Sequence, residues 1–393
     1  MTGDGVPVDH VDLFDEDALL DPYPHYQRLR DLGSVVWLAQ HDLYAIPRYE
    51  DVRAVLGDPA VFCSGRGVAL NDFVNEAGQG TTLASDGELH DHLRGIIGKR
   101  LTPKAVSSMR AEVTAAAEAV VDELLERGEF DAVTDLAQRL PMSVVPDMLG
   151  WPDEGRHHLL EWGSATFDAM GPSNRRAQRA LPAVLEMVEF ANHTAATGNL
   201  TPGSVGAGIL DARDRGDVTA QQCPMLLVDY LGPSLDTTIS AIGSAIWLFA
   251  NHPDQWDLVR RDTGRIPAAF NEVLRLETPI SSFSRVATRE TDIAGVHVPE
   301  GARVLVMFAS ANRDERRWDR PETFDCARNA AAHVGFGYGV HACAGAGLAR
   351  LEAHAILGAL AARVRRFELG TPTRHTNNLI RAFASLPVSV RPG

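Results

Sequence analysis

Residues 335–353 read GFGYGVHACAGAGLARLEA and place one cysteine, Cys343, among glycines. Glycines permit backbone angles that other residues avoid, and they allow a flat ligand to approach the backbone closely. Apolar residues then recur at three- and four-residue intervals, which predicts a helix over 345–366. A helix start offers unpaired N–H groups and a positive dipole end, and both favour a thiolate. On these residues alone, a turn around a small buried cysteine and a thiolate metal ligand are equally open.

The composition describes an acidic chain that is unsuited to anionic partners. The 393 residues are 45% hydrophobic, and the formal net charge is −15. Nucleic-acid phosphates and anionic lipids repel such a protein, so we expect no nucleic-acid partner and no membrane partner. The four cysteines include no CxxC pair, which excludes a disulfide framework and a zinc site. The first residues lack the regions of a signal peptide, and the apolar stretch 239–250 is too short to span a bilayer. We expect a cytoplasmic protein.

Most of the chain has the residue pattern of helices, with a few short strands. Residues 105–127 are rich in helix formers and predict a helix. Runs of β-branched and aromatic residues predict strands at 35–39, 43–47, 303–310 and 386–392. No linker or repeat divides the chain. These features predict a single domain over residues 1–393, mainly α with small β-sheets, one of which is contributed by both ends of the chain.

The segment around Cys343 resembles the haem-binding signature of the cytochrome P450 family, FxxGxxxCxG. Phe336, Gly339, Cys343 and Gly345 occupy every fixed position. Glu272-Val-Leu-Arg275 resembles the family's ExxR motif, and a Glu and an Arg three apart share a helix face and can pair. The resemblance extends over nearly the whole chain. It implies the cytochrome P450 fold, a haem b cofactor, Cys343 as the axial ligand of the iron, and Glu272–Arg275 as a structural ion pair.

The same resemblance identifies residues that would hold the haem. His90 and Arg94 lie four apart and resemble the pair that binds a haem propionate. Arg285 and His341 match the other usual propionate partners. Three further residues of the signature, Phe336, Gly337 and Gly345, would surround the cysteine, and Phe336 would shield the iron–sulfur bond from water.

Residues 225–251 form an apolar run interrupted by Asp236 and Thr237. A buried Asp is costly without a task or a partner. The run resembles the family's I helix, in which such a pair relays protons to dioxygen. The family has a small residue and then glycine before the acid, whereas this chain has Pro233-Ser234. Proline removes an N–H and clashes with the preceding turn, which predicts a kink at Pro233.

Within the family, the chain is most similar to the bacterial subfamily that demethylates para-methoxybenzoate. By position, that subfamily's aromatic pocket maps onto Leu83, Phe167, Met170, Pro233, Ile280 and Phe283. Each of these residues, taken alone, is also typical of an ordinary core. The places of its carboxylate-binding arginine and serines are Ala77, Gly80, Asp229 and Gly232 here. A carboxylate beside Asp229 would be repelled. The pattern therefore favours a neutral methoxyphenol of the guaiacol or syringol type, as found among lignin-derived aromatics, with Asp229 as part of the pocket.

The resemblance implies a monooxygenase that uses dioxygen to demethylate a small aromatic ether, giving a phenol and formaldehyde. Electrons would come from NAD(P)H through a reductase and a ferredoxin, and we expect a monomer. Hydroxylation or demethylation of a para-substituted benzoate is an alternative. A haem sensor without turnover and a peroxide-driven peroxygenase are others. The Asp236–Thr237 pair argues against both, while Pro233-Ser234 leaves the peroxygenase open.

Overall fold

The computed structural model describes residues 5–153 and 155–393, and helices dominate it. The α-helices are α1 (Glu16–Leu20), α2 (Tyr23–Leu32), α3 (Tyr49–Gly57), α4 (Asp72–Ala77), α5 (Gly87–Ile97), α6 (Pro103–Ser108), α7 (Arg110–Arg127), α8 (Arg139–Leu149), α9 (Leu159–Ala169), α10 (Arg175–Thr197), α11 (Val205–Asp214), α12 (Gln222–Leu231), α13 (Asp236–Asn251), α14 (Pro253–Arg261), α15 (Ile266–Leu276), α16 (Phe308–Ala311) and α17 (Ala346–Arg363). The strands are β1 (Val8–Asp9), β2 (Val36–Leu38), β3 (Leu43–Ile46), β4 (Phe62–Cys63), β5 (Glu129–Asp131), β6 (Phe283–Ala287), β7 (Thr291–Ile293), β8 (Val296–Val298), β9 (Arg303–Val306), β10 (Val364–Leu369), β11 (Thr373–Thr376), β12 (Arg381–Ser385) and β13 (Pro387–Pro392).

Small sheets join parts of the chain that are distant in sequence. The largest has the strand order β1-β2-β3-β9-β6-β4, and a second has the order β10-β13-β5. Strands β2 and β3, both expected from the sequence, form an antiparallel hairpin with Val36 opposite Ala45. Strand β3 then pairs in parallel with β9, where Tyr44 lies opposite Val304. The prediction of a mainly α protein with small sheets is confirmed, but the expected sheet shared by both ends is wrong: β1, β2 and β3 lie in the first sheet, and β10 and β13 lie in the second.

Two predicted elements differ from the expectation, one by ending early and the other by being divided. The strand expected over 303–310 stops at Val306, and α16 begins at Phe308. The helical turn lets the carbonyl of Asn312 accept a hydrogen bond from Arg275, which an extended chain would not place there. The helix expected over 105–127 is divided at Met109, after Ser107 and Ser108, residues that favour helix ends.

The core centres on α13, α15 and α17, which pack against one another. Helix α13 is buried almost all round from Thr238 to Phe249, as its unbroken apolar sequence predicts. Helix α17 buries Leu351, Ile356 and Leu360. Because α17 begins three residues after Cys343, this packing fixes the cysteine relative to α13. Among the described helices, none combines the length and the apolarity required to cross a bilayer.

The ion pair between Glu272 and Arg275 on α15 is present and fully buried. Arg275 Nε and Nη2 lie 2.7 and 2.8 Å from the two carboxylate oxygens of Glu272. Arg275 also donates to the carbonyls of Asn312 and Pro321 at 2.8 Å, and Arg328 donates to Glu272 at 3.0 Å. The pair therefore fastens the irregular segment before the cysteine signature to α15.

Candidate functional site

One continuous space, here called the main cavity, brings together most of the residues that the sequence predicts for the site. Its lining includes Arg94 from α5, Phe167 from α9, Thr237 from α13, Phe283 from β6 and Cys343 ahead of α17. These residues come from five separate elements. Their convergence means that the cysteine, the cationic groups and the apolar residues surround a shared volume.

Cys343 is exposed and lines the main cavity. Its N–H donates to the carbonyl of Phe336 at 2.8 Å, which closes the loop of the signature. Burial raises the pKa of the thiol, although the N–H groups of Gly345 and Ala346 lower it. The amides of the helix start act on the pKa in the expected direction, and the charges of Arg94 and Arg350 add to them, but desolvation outweighs these effects in the chain alone. A bound metal cation would supply the missing positive charge.

The glycines around the cysteine have distinct tasks. Gly337 and Gly339 have φ values of 71° and 74°, a region that favours glycine. A Cβ on Gly339 would also lie 2.5 Å from the carbonyl oxygen of Leu56, so this glycine lets the loop pack against α3. A Cβ on Gly345 would lie 3.9 Å from the Cys343 sulfur. Gly339 therefore serves the turn, whereas a Cβ at Gly345 would make only an ordinary contact with the thiol.

Cationic and imidazole side chains gather at one end of the main cavity. Arg94, Arg285 and His341 line it, and Arg94 donates to the carbonyl of Ala342. His90 lies behind His341, with 4.3 Å between the ring centroids, and does not line the cavity itself. The structure thus brings the four predicted residues into one cluster, but only three of them line the main cavity.

This cluster has the unmet polar capacity of an anion site. Arg285 is 4% exposed, and within the described residues it forms no ion pair; burial lowers its pKa to about 10. The Nε2 atoms of His90 and His341 are buried and lack a hydrogen-bond partner among the described residues. Buried polar groups ordinarily have partners, and a buried cation requires an anion. The two carboxylates of a haem fit this donor set, and the thiol of Cys343 fits its iron.

Asp86 belongs to the same cluster and was missed by the sequence reasoning. It accepts hydrogen bonds from the N–H groups of Ser64 and Gly65 at 2.8 and 2.7 Å. Its Oδ1 lies 3.8 Å from His341 Nε2. Burial acts to raise the pKa of Asp86, but His341 and the two amides have the larger combined effect, so the pKa lies below its ordinary value. Its position just before α5 resembles that of an ordinary helix cap, so nothing in the sequence distinguished it.

The helix expected to cross the oxygen side is broken, not just kinked. Helix α12 ends at Leu231 and α13 begins at Asp236, with Pro233 and Ser234 between them. The Thr237 hydroxyl donates to the carbonyl of Pro233 at 2.8 Å, so it satisfies one of the carbonyls that the break leaves free. The predicted distortion at Pro233 is confirmed. Pro233, Ser234 and Thr237 all line the main cavity.

Asp236 lies behind this lining instead of within it. A Cβ on Gly163 of α9 would be 3.6 Å from the Asp236 Cγ, which places the carboxyl against α9. Burial, and then the charge of Asp168, raise the pKa of Asp236 to about 7. The two residues of the predicted pair therefore have different surroundings. Thr237 lines the main cavity, whereas Asp236 lies behind this lining, against α9, with a pKa that makes a proton available near neutral pH.

All residues predicted for the substrate pocket line the main cavity: Leu83, Phe167, Met170, Asp229, Pro233, Ile280 and Phe283. Phe167 and Met170 are otherwise buried, and the Phe283 ring packs edge-on against Phe308 at 5.9 Å. Phe308 also lines the cavity and was missed, because it lies in a stretch expected to be a strand. The result is an apolar slot with an aromatic wall.

Asp229 is the acidic group at this apolar end. Its Oδ2 accepts the N–H of Thr82 at 2.6 Å. Burial raises its pKa to about 6, although hydrogen bonds from Thr82 and Leu83 and the charge of Arg94 lower it. Of the other positions equated with a carboxylate anchor, Ala77 and Gly232 line the cavity, and Gly80 turns the loop with a φ of 91°. The loop therefore presents its backbone to Asp229.

Glu352 is a further acid that the sequence reasoning missed. It is 1% exposed and lines the main cavity, and its Oε1 has no hydrogen-bond partner among the described residues. Burial raises its pKa to about 8. The sequence did contain a signal for this residue. Glu352 is a charged residue between Leu351 and Ala353 on the apolar face of a predicted helix, where charged residues are rare.

Comparisons with known proteins identify the family to which the chain is similar. The family model described as "Cytochrome P450" matches residues 265–389. Cytochrome p450 CYP199A2 of Rhodopseudomonas palustris is 40% identical over 99% of this chain and 96% of its own length. Steroid C26-monooxygenase of Rhodococcus jostii is 30% identical over 92% of this chain and 81% of its own length.

Solved structures show the same fold. Cytochrome P450 CREJ in complex with (4-ethylphenyl) dihydrogen phosphate superimposes with a TM-score of 0.88 at 26% identity, covering 97% of this chain and 99% of that one. The crystal structure of CalO2 gives a TM-score of 0.83 at 29% identity, covering 98% and 99%.

Proposed function

The chain belongs to the cytochrome P450 family of haem-dependent monooxygenases, and we propose that it removes the methyl group from a neutral methoxyphenol. The products would be the demethylated phenol and formaldehyde. One atom of dioxygen enters the methyl carbon, and the other leaves as water after two protons and two electrons are taken up. Bacterial members of the family receive these electrons from NAD(P)H through a reductase and a ferredoxin.

Haem b supplies the activation of dioxygen when it is bound. In the proposed arrangement Cys343 would be its iron ligand, Arg94 and Arg285 would neutralise its carboxylates, and His341 would donate a hydrogen bond to one of them. Arg285 supports this role because its buried charge has no ion-pair partner among the described residues. The remaining residues of the main cavity orient the substrate and exclude water.

The apolar slot of Phe167, Met170 and Phe283 would hold the aromatic ring. Aromatic and apolar walls bury a flat ring well and leave polar groups to fix its orientation. Holding the methoxy group in a fixed position lowers the entropic part of the barrier, and the dry walls limit side reactions. The (4-ethylphenyl) dihydrogen phosphate bound by the 26%-identical relative CREJ has a para-substituted ring, which supports an aromatic substrate.

Asp229 carries the assignment of a neutral substrate. With a pKa of about 6 it is mostly ionised at neutral pH. A carboxylate retains acceptor capacity after the hydrogen bond from Thr82, so it can accept a hydrogen bond from the hydroxyl group of a phenol. A benzoate would instead bring a second negative charge into an apolar region, where like charges are costly.

Asp236 and Thr237 would serve the proton supply. Thr237 borders the main cavity, and Asp236 has a pKa of about 7, so it can both release and regain a proton near neutral pH. This supports dioxygen as the oxidant, since dioxygen requires two protons for each turnover. Product formed with peroxide alone, and not with NADH and redox partners, would instead identify a peroxygenase.

Matched ligands test the substrate assignment. We expect guaiacol to shift the haem spectrum of the loaded enzyme with a Kd at least about tenfold below that of para-methoxybenzoate, a difference of about 1.4 kcal/mol. The Asp229→Asn variant should lose most of this preference, whereas Asp211→Asn, which changes an exposed acid on α11, should keep it. Tighter binding of the benzoate, or turnover of guaiacol without an equal amount of formaldehyde, would overturn the assignment.

A further inference from the structure

The two walls of the apolar slot belong to different elements of the fold. Phe167 and Met170 lie at the end of α9, whereas Phe283 begins β6. All three pack in one cluster of apolar side chains, which also contains Val68. The width of the apolar slot therefore depends on how the end of α9 is held relative to β6.

The end of α9 is held by the segment that precedes α4. The last carbonyls of a helix have no partner within the helix. Here the side-chain amide of Asn71 donates to the carbonyls of Ala169 and Gly171, the second at 2.9 Å. The N–H of Leu70 donates to the carbonyl of Met170 at 2.8 Å. These contacts bind three successive carbonyls of the chain at the end of α9.

The same segment is attached to β6 on its other side. The N–H of Ser284 donates to the carbonyl of Val68 at 3.0 Å, and its hydroxyl donates to the carbonyl of Ala69 at 3.0 Å. Ser284 directly follows Phe283 on β6. The hydrogen bonds therefore connect one wall of the apolar slot to the other through residues 68–71.

Asn71 lies at the centre of this connection and uses its whole side-chain amide. Its oxygen accepts the N–H of Val74 at 2.9 Å and caps α4, while its nitrogen donates to both carbonyls at the end of α9. Asn71 is 8% exposed, so these groups depend on one another instead of on water. An aspartate could cap α4 equally well, but its carboxylate has no hydrogen to donate. The amide is thus required by α9 and not by α4.

A second asparagine, from the turn between β11 and β12, also binds the end of α9. Asn378 Nδ2 donates to the carbonyl of Asp168 at 2.8 Å, and the Asn378 N–H donates to the Asp168 carboxylate at 2.7 Å. A Cβ on Gly171 would lie 2.5 Å from the Cβ of Asn378, so only glycine permits this approach. Because the φ of Gly171 is not left-handed, a side chain there would act by displacing Asn378.

We propose that Asn71 is the positioning residue that sets the width of the apolar slot, and through it the preference for a flat aromatic ring. The inference rests on the proposed function, since it names what the apolar slot selects. With the attachment intact, Phe167 and Met170 stand at a fixed distance from Phe283, and a ring without bulk outside its plane fits between them. When the attachment is broken, α9 can move away from β6. A flat ring is then held loosely, and a thicker group is admitted.

Asn71→Asp tests the attachment with almost no change in side-chain shape. The carboxylate would leave the carbonyls of Ala169 and Gly171 without a donor and would repel them. In the haem-loaded enzyme, hydrogen exchange at the Leu70 amide, followed by mass spectrometry, should accelerate at least about tenfold because its acceptor moves away. Asn192→Asp, the same change at an exposed site on α10, should leave this exchange unchanged. An exchange that does not accelerate in Asn71→Asp would overturn the proposal.

Matched ligands measure the width of the apolar slot. Guaiacol is flat, whereas its 4-tert-butyl derivative carries methyl groups above and below the ring plane. We expect Asn71→Asp to raise the ratio of the guaiacol Kd to the tert-butyl Kd at least about tenfold over wild type in spectral titrations. Gly171→Ala should change the ratio in the same direction, and Asn192→Asp should not change it. A wild-type ratio in Asn71→Asp, despite faster exchange, would show that Asn71 is purely structural and would overturn the proposal.

Turnover of guaiacol separates this proposal from the proposed function. Asn71→Asp should release at least about threefold less formaldehyde for each NADH consumed, because a loosely held methoxy group is oxidised less often. An unchanged formaldehyde yield in an active Asn71→Asp enzyme would overturn the role of Asn71. Wild-type enzyme that binds guaiacol but forms no formaldehyde would overturn the proposed function instead, while the ratio of the two dissociation constants would still decide the role of Asn71.

Discussion

At the scale of the single residue, the buried charge of Arg285 is better suited to a bound anion than to its protein neighbours. Arg285 is buried on β6, and burial lowers its pKa to about 10. Among the described residues, the one hydrogen bond of its side chain goes to the adjacent carbonyl of Ser284 at 2.7 Å. An uncompensated buried cation destabilises a chain, but it binds an anion strongly. The residue should therefore act in opposite directions with and without the cofactor.

The Arg285→Met variant tests this opposition. In the haem-free chain we expect its free energy of unfolding by urea to rise by about 1 kcal/mol or more, since a desolvated charge is removed. In the loaded enzyme, haem transfer to apomyoglobin should be at least about tenfold faster, because a charge-assisted hydrogen bond is worth ~1.5–3 kcal/mol. Arg289→Met, at an exposed site just after β6, is the control for both measurements. A loss of stability in both forms would show that Arg285 is purely structural.

Asp229 predicts a pH dependence of substrate choice. Its pKa of about 6 means that it is ionised at pH 8 and largely protonated at about pH 5.5. Protonation removes the like-charge repulsion toward a benzoate and removes the charged acceptor for a phenol. The ratio of the two dissociation constants in spectral titrations should therefore narrow as the pH falls through 6. In Asp229→Asn the ratio should not change with pH, and a wild-type ratio that is equally flat would contradict the role of Asp229.

The ion pair between Glu272 and Arg275 connects two elements of the fold, because it joins α15 to the irregular segment at 312–328. Removing one partner of a buried pair leaves the other charge unpaired, so Glu272→Gln should lower the free energy of unfolding by ~3–5 kcal/mol. Glu123→Gln breaks the exposed pair with Arg139 and should cost ~1 kcal/mol or less. Urea unfolding of both variants decides the point. Equal losses would mean that Arg275 finds other compensation among the carbonyls it contacts.

Elements were predictable where a local signal was strong and unopposed. The signature around Cys343 identified the turn and the helix that follows it, and Pro233 identified the break before α13. The direction of Asp236 was not predictable, because it depends on how far the break rotates α13 toward α9. The short helix α16 was missed for a related reason: carbonyls bound by a distant arginine, Arg275, decide its conformation.

At the scale of the whole molecule, the fold depends on contacts that connect both ends of the chain to its middle. Glu277, at the end of α15, is 2% exposed. It accepts hydrogen bonds from Tyr23 and Arg313 on Oε1, at 2.7 and 3.1 Å, and from Arg374 and Arg381 on Oε2, at 3.2 and 3.1 Å. The sequence suggested that both ends join one sheet, but a cluster of single residues hundreds of positions apart carries no local pattern.

Glu277 therefore predicts how the whole molecule responds to acid. Burial acts to raise its pKa, but Arg381, Arg374 and Arg313 lower it below the ordinary value. A depressed carboxylate contributes stability that is full above its unfolded pKa, ~4.3, and that is lost as the pH falls toward its folded pKa. We expect Glu277→Gln to lose ~3–5 kcal/mol at pH 7 and progressively less below about pH 4.

Urea unfolding across a pH series measures this dependence, and Glu322→Gln is the matched control. Glu322 pairs with the same Arg313, but its side chain is 59% exposed, so its loss should cost ~1 kcal/mol or less. Because the arginines around Glu277 stay charged at every pH of the series, the difference between wild type and Glu277→Gln reports the protonation of Glu277 alone. A difference that stays constant down to about pH 3 would mean that the arginines are satisfied by backbone carbonyls, and that the ends of the chain are joined by packing instead of charge.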